Sequence, residues 1–547
     1  MALPREAYRA LEDIVGTGNI SEEPAILDSY AFQWAWELCT PDQTKFFYRP
    51  EAVLLPVSTE EVQAIVKTCN KYGIKFKPFS TGWIFSAGPL TTGVVQLDLR
   101  RMDRILEIDE KNQFAVIEPY VIAATLQAEA MKVGLNCHMI GAGASCSPLA
   151  QLTSFIGNCP NSFYMGMAPE NLLSAEWVLP NGEILKTGSL GSGCGWFCSE
   201  GPGPSLRALI RGKIGNMGGM GVFTKAAIKL YPWPGPAELP IEGKPPAYVT
   251  PLPDNFRAYT IAFPSWQALA ESYYKIYDGE IGYVAHRQFS KLGEDLGPAF
   301  WMMYTDPTKS LDDIEQIVKE PETQELTEEL RLSYQIVLAG QTPNDIEYQE
   351  RVLDEILAET GGHKVAKWNE PDKERFTLLY MTRWGHKNLN FVYAGGYMGS
   401  FHQEGPPDYV VNYAQVAKEV LKKHQDKGWL VKSGGDAMMG PLSNMGGGGW
   451  CSLEQFIAYD VTNKESIKAA VAYKKDGIAV SSEHGWSTSF DRAHFMTVMT
   501  KEEREDLWRQ VPQPNIYHYQ MKVKQLLDPN DTGDSEVTYA RLEKPTE

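Results

Sequence analysis

The stretch "KPFSTGWIFSAGPL", Lys77 to Leu90, crowds Ser80, Thr81, Gly82, Ser86, Ala87 and Gly88 between two apolar runs. Small side chains leave a backbone concavity open, so that successive N–H groups approach an anion closely. A phosphate suits such a loop. Arg383 in "MTRWGHKNLN" and Arg492 in "SFDRAHF" each offer a planar guanidinium that can hold a carboxylate through two parallel hydrogen bonds. Cys194 and Cys198 form a lone C-x-x-x-C, and no second pair completes a zinc or iron–sulfur set of ordinary spacing.

These groups need elements to position them. "EAVLLPVSTEEVQAIVKTCN" reads as a strand over Leu54, Leu55 and Val57, then a helix capped by Ser58, with Val62, Ile65 and Val66 at helical spacing. "YGIKFKPFS" is a second strand leading into the small-residue loop, and "GVVQLDL" is a third leading out of it. "ILEIDEKNQFAVIEPYV" reads as a hairpin turning at Asp109 to Asn112, and "AATLQAEAMKVGL" as a helix. "AEWVLPNGEILKTG" turns on Asn181-Gly182, the strongest short hairpin signal. "GVFTKAAIKLYPWPG" is a strand, and the prolines from Pro232 to Pro253 read as a linker. Strand–helix units then follow, the pattern of helices backing an antiparallel sheet.

The chain has 547 residues, enough for two or more domains, with 43% hydrophobic and 22% charged residues. A net charge of −18 argues against a nucleic-acid partner, which needs a basic face. No apolar run reaches the roughly 18 residues of a membrane span. The N-terminus carries Arg5, Glu6, Arg9, Glu12 and Asp13 and lacks an apolar signal core. Eight cysteines in such a length do not make a disulfide scaffold, so a reducing, cytoplasmic setting is expected.

The ordered series "LLPVSTEEVQAIV", "FSTGWIFSAGP", "VVQLDLRRMDRILEID", "AVIEPYV", "LPNGEILKTG" and "GNMGGMGVFTKAAIKLYP" resembles the FAD-binding domain of the vanillyl-alcohol oxidase and p-cresol methylhydroxylase superfamily. That superfamily also holds FAD-linked D-lactate, glycolate and 2-hydroxyglutarate dehydrogenases. The resemblance implies an α+β fold: a two-part FAD-binding domain over 1–235, an α+β cap with an antiparallel sheet over 236–510, and a segment over 511–547 that returns to the first domain. It implies that Pro78 and the run Ser80, Thr81, Gly82, Trp83, Ile84, Phe85, Ser86 and Ala87 wrap the FAD pyrophosphate. Pro119 belongs to "AVIEPYV", where Tyr120 stands in place of the usual glycine. In "GAGASCSPLAQLTSFIGN" the implied contacts are Gly141, Ala142, Gly143, Ser145, Cys146 and Ser147, with Gly157 and Asn158 further on. Gly221 and Val222 match the strand beside the flavin ring. The first loop carries no histidine, so a covalent flavin tether is not expected from it.

In the cap, "SSEHGWSTSF" resembles the E-H-G of the hydroxy-acid dehydrogenases, which implies that Glu483 and His484 stand over the flavin and that His484 takes the hydroxyl proton. From residue type, Arg383 is the candidate taken as carboxylate holder. Ser433 and Gly440 fall where those dehydrogenases have two metal-binding histidines, so no metal is expected. The favoured expectation is a dehydrogenase of a small hydroxylated acid or alcohol, passing electrons to a protein partner or a quinone, as a homo-oligomer or a subunit of a complex. Oxidation of a para-substituted phenol or aromatic alcohol stays open, as does a non-catalytic FAD electron-relay subunit.

Overall fold

The computed structural model describes residues 3–32, 35–38, 48–82, 87–139, 143–154, 160–201, 209–210, 219–244, 247–287, 299, 302–303, 306, 308–383, 395–430, 436–442, 450–486 and 515–534. Four sheets carry the chain. The first is built from β1 (Ile20–Ser21), β2 (Ala52–Leu54), β3 (Lys75–Phe79) and β4 (Val94–Asp98), in the order β1-β2-β4-β3. β4 runs parallel to both β2 and β3, and β1 is antiparallel to β2. The first full strand stops at Leu54, earlier than the expected Val57, because Pro56 cannot donate to a ladder.

Helix Thr59–Tyr72 links β2 to β3. Ser58 Oγ accepts the Glu61 N–H at 3.2 Å, and Gly73 ends the helix in the left-handed region. Val62, Ile65, Val66 and Cys69 form one buried stripe against Leu54, Val95 and Leu97 of the sheet. A parallel strand buried on both faces reads as a continuous apolar run, and all five residues of β4 are buried. Two of them, Gln96 and Asp98, are polar, which marks this strand as more than scaffold.

The second sheet is antiparallel and six-stranded: β5 (Ile105–Asp109), β6 (Phe114–Ile117), β7 (Leu135–Cys137), β8 (Leu172–Val178), β9 (Ile184–Lys186) and β10 (Val222–Pro232). β10 is its axis, pairing with β6, β7 and β8. The β5–β6 turn is closed by Asp109, whose Oδ1 accepts the N–H groups of Lys111 and Asn112. The β8–β9 turn is closed at Asn181-Gly182, where Leu179 N–H donates to Glu183 O at 2.8 Å.

The remaining sheets form the second half of the molecule. β11 (Phe256–Ala262), β12 (Val284–His286), β13 (Ser333–Ala339) and β14 (His363–Lys364) make an antiparallel sheet in the order β12-β13-β11-β14. β15 (Gly395–Gly405), β16 (Asp436–Leu442) and β17 (Trp450–Asp460) make another, with β17 central. Helices Trp266–Asp278, Pro343–Thr360, Pro407–Gln425 and Lys464–Glu483 supply Tyr273, Leu353, Tyr413 and Tyr473 to a core shared with Ile336 and Tyr459 of these sheets. Thr342 and Asp345 box the start of Pro343–Thr360, and Gly361 stops it in the left-handed region.

The segment expected to be a linker is tied down. Trp233 is buried, packs on Phe256 and donates Nε1–H to Pro236 O, and Arg375 pairs with Glu242. One buried cluster holds Ile228 and Trp233 from the first half together with Val337 and Trp368 from the second. No helix among the described residues is long and apolar enough to cross a membrane.

Candidate functional site

Ser80, Thr81 and Gly82 leave the C-terminal end of β3, and Ala87 to Gly93 return to β4. Ser80 to Gly82 thus lie outside the carboxyl end of β3, where α/β sheets place ligands, and the described part of the return to the amino end of β4 holds no helix. Gln96 fixes the loop from inside β4. Its Nε2 donates to Lys77 O at 3.1 Å and to Ala87 O at 3.2 Å. Asp98, at the end of β4, accepts from Tyr30 Oη and from Arg100 Nη2, the latter at 2.6 Å. Burial and the Asp98 carboxylate push the Tyr30 phenol above its ordinary range. Lys77 is buried, with Nζ 3.1 Å from Asp534 O, and desolvation lowers its ammonium to about 8.

A second loop meets the first. Ser147 N–H donates to Thr81 Oγ1 at 3.1 Å, and Ser147 Oγ–H donates to Pro119 O at 2.7 Å. The same Oγ caps helix Pro148–Thr153 by accepting Ala150 N–H at 3.2 Å. Ala144 O and Cys146 O accept the N–H groups of Ala124 and Ala123, which anchors the loop to helix Ala123–Lys132. Pro78 lies in β3 opposite Leu97. Thus Pro78, Ser80, Thr81, Gly82, Pro119, Gly143, Ser145, Cys146 and Ser147 gather at one place. Gly221 and Val222 open β10, where Val222 pairs with Val178 and both pack into the core of the first sheet. Trp83, Ile84, Phe85, Ser86, Gly141, Ala142, Gly157, Asn158 and Ser433 lie outside the described residues.

The gathered residues fit a dinucleotide. Gly143 has φ +134° and no atom of the described residues within 4 Å of where a Cβ would stand, which leaves its backbone open on that side among the described residues. Gln151, in the helix capped by Ser147, is buried, and its Oε1 has no hydrogen-bond partner among the described residues. An open backbone cradle and an unsatisfied buried amide oxygen suit a ligand with an anionic link and a polar ring edge.

A polar seam joins the two halves nearby. Gln127 Nε2 donates to Asn136 Oδ1 at 3.1 Å and to Thr382 O at 2.9 Å, and Asn136 Nδ2 donates to Tyr283 Oη at 2.9 Å. His138, one residue past β7, is buried with Nε2 2.8 Å from Ser162 Oγ, and desolvation lowers its pKa to about 3, so it is neutral. Arg383 ends helix Pro371–Arg383 at this seam. Its Nη1 lies 3.6 Å from Met131 Sδ, and burial pulls its pKa down. Among the described residues Arg383 makes no ion pair.

Glu483 and His484 sit at the end of helix Lys464–Glu483, exposed to solvent. His484 Nδ1 lies 3.0 Å from Val480 O, and its ring stacks on Trp486 with centroids 4.2 Å apart. Trp486 in turn packs edge-on against Tyr413. Among the described residues no hydrogen bond, ion pair or ring contact joins Glu483 or His484 to the Thr81–Ser147 region.

Four residues at the site escape a reading of motifs: Gln96, Asp98, Lys524 and Asp534. The first two had a signal, being polar positions in the buried run "VVQLDL". The other two had none, since Asp534 Oδ2 accepts Leu90 N–H across 444 positions of sequence.

Residues 50–188 match the FAD binding domain family. The chain is similar to an uncharacterized FAD-linked oxidoreductase of Mycobacterium tuberculosis, 30% identical over 229 residues, covering 42% of this chain and 46% of that protein. It is also similar to a probable mitochondrial D-lactate dehydrogenase of Danio rerio, 23% identical over 323 residues, covering 57% and 58%. The chain spans about half the length of these curated relatives. Among solved structures, p-cresol methylhydroxylase with substrate bound superposes with a TM-score of 0.70 over 97% of this chain and 95% of that one, at 18% identity. The loops that meet at Thr81 and Ser147 therefore belong to an FAD binding domain, set in a chain with the fold of p-cresol methylhydroxylase.

Proposed function

We propose that this chain is an FAD-linked dehydrogenase of a small hydroxylated acid. Residues 1–235 and 511–547 hold the cofactor, and 236–510 form a cap that selects the substrate. Bound FAD supplies a hydride acceptor. The chain's own residues do the rest. The 80–82 and 143–147 segments bind and orient the dinucleotide, and the seam through Gln127, Asn136 and Tyr283 keeps water from the ground between the halves.

The observation that carries the substrate class is Arg383. A desolvated guanidinium without an ion pair among the described residues is unfavourable unless an anion joins it, and its fork matches a carboxylate. His484 is the proposed proton acceptor, with Glu483 beside it. The Val480 carbonyl at Nδ1 selects the tautomer that leaves Nε2 basic. Electrons pass on to a protein partner or a quinone, in the cytoplasm, with the chain acting as a homo-oligomer or within a larger complex. No metal takes part.

Anaerobic bleaching of the holoprotein by two panels, 2-hydroxy acids and 4-alkylphenols, tests the reading. Bleaching by hydroxy acids, lost in Arg383→Ala, is the expected result. Bleaching by phenols alone would replace this reading with oxidation of a para-substituted phenol, and bleaching by neither would leave the electron-relay subunit.

A further inference from the structure

Residues 524–534 touch both the limb that returns to β4 and the residues just before β10. Asp534 Oδ2 accepts Leu90 N–H at 2.6 Å, and Oδ1 receives Thr91 Oγ1–H at 3.4 Å. Leu90 and Thr91 lie in the loop that begins at Ser80. Lys524, on helix Asn515–Leu527, donates Nζ to Gly219 O at 2.7 Å and to Gly533 O at 3.2 Å, and pairs with Asp528. Gly219 stands two residues before Gly221, at the opening of β10. Asp528 in turn fixes the segment's own turn, accepting the N–H groups of Thr532 and Gly533 at 2.9 Å each.

Phe76 of β3 then pairs with Gly533 as a parallel bridge, with Phe76 N–H donating to Thr532 O and Asp534 N–H to Phe76 O. The approach at Gly533 is so close that a Cβ there would lie 2.5 Å from Gly219 O. Lys524, Asp528 and Asp534 are all buried. A carboxylate and an ammonium out of water are costly unless their hydrogen bonds are made, which favours the seating described.

We infer that residues 524–534 are a clasp that sets the shape of the FAD site, with Asp534 as the positioning residue for the 87–93 limb that returns to β4 and Lys524 as its tie to the opening of β10. Without Asp534 the Leu90 N–H loses this acceptor, and the stretch between Ala87, held by Gln96, and Gly93, held by Glu51 and Lys75, loses the tie at its middle. The loop then spends part of its time in shapes that do not present its backbone to a pyrophosphate, and affinity drops by that fraction. The inference rests on the chain binding FAD, which the same experiment checks first.

Apoprotein is titrated with FAD, following flavin fluorescence, and deuterium uptake is compared in apo peptides covering 80–93 and 333–339. For Asp534→Ala, FAD binding weakens by at least about tenfold, as for a lost charge-assisted hydrogen bond. Uptake rises in 80–93 and stays unchanged in 333–339. Asp534→Asn keeps an acceptor oxygen and returns binding to near the wild-type value. Gly533→Ala, which forces the clasp off Gly219, weakens FAD binding in the same direction and decides the matter if Asp534→Ala does not fold. FAD binding by both alanine variants as tight as wild type overturns the clasp. So does uptake rising equally in both peptides while Asp534→Asn behaves like alanine. A wild-type apoprotein that takes up no FAD overturns the cofactor assignment instead.

Discussion

Ser147 gives its backbone N–H to the hydroxyl oxygen of Thr81 across 3.1 Å, closing 66 residues of chain on a single neutral hydrogen bond. The bond joins the loop between two parallel strands to the loop that caps helix Pro148–Thr153. The first loop leaves the first sheet and the second is anchored to helix Ala123–Lys132, and this contact ties the two loops directly. Thr81→Val keeps the shape and removes the acceptor. FAD affinity is expected to fall about threefold to tenfold, the range of one neutral hydrogen bond. Equilibrium titration of the apoprotein reads the change, and unaltered affinity would mean the loops are held apart from this bond.

His138 makes stability depend on pH. Its folded pKa is about 3 against an unfolded 6.5, because burial excludes the charged imidazole. Between those values only the unfolded chain binds the proton, so stability rises with pH and is lost as pH falls from 6.5 toward 3. The slope from this one group approaches about 1.4 kcal/mol per pH unit. Urea melts between pH 4 and 7 should show the acid loss, and His138→Gln should flatten it. An equal slope in the variant would place the acid sensitivity in the carboxylates.

Arg383→Ala removes the guanidinium at the seam. If a substrate carboxylate pairs with it, KM for a 2-hydroxy acid rises about tenfold to a hundredfold, the value of a hydrogen bond to a charged group. Arg383→Lys recovers part of this, since an ammonium keeps the charge and loses the fork. FAD content, read from absorbance, stays at the wild-type level in both. KM unchanged in Arg383→Ala would make the arginine a packing residue.

His484→Ala tests the proton acceptor. Flavin bleaching under anaerobic conditions should slow by about 10²–10⁴-fold, the usual share of general acid–base catalysis, and the limb of the rate profile belonging to the base should disappear. FAD affinity should hold. A variant that bleaches at the wild-type rate with an unchanged profile reduces Glu483-His484-Gly485 to a helix end stacked on Trp486.

Dialysis against a chelator should leave activity intact, because Ser433 and Gly440 offer no imidazole where a divalent ion would need one. Activity lost to the chelator and restored by manganese or zinc would refute that.

How far residues announce themselves depends on how local their partners are. Ser58, Asn181-Gly182 and the Asp109 turn work within three or four positions, so their residue types alone predict the cap and the hairpins. Ser80, Thr81 and Gly82 are equally plain as the start of a loop after β3, since their types disfavour continuing the strand. Arg383 was legible as a type but not as a buried group, because desolvation comes from Met131 and the far half of the chain. Gln96 could have been found, as amides are costly in a buried parallel strand without a task. Asp534 could not. Its partner Leu90 is 444 positions away, and nothing around "DPNDTGDSEV" distinguishes it from a solvated turn.

The pairing of Phe76 with Gly533 also has a bearing on the order in which the protein is made. Lys77 waits for Asp534 across 457 residues. At ribosomal speeds that interval is on the order of half a minute to a minute and a half. Throughout it, β3 is an unpaired sheet edge beside an unfinished loop, the kind of edge that recruits wrong partners. A chain that stalls before Lys524 has both sheets of its dinucleotide half but lacks the ties to Leu90, Phe76 and Gly219, so a stalled chain would hold a dinucleotide more weakly than one that carries them.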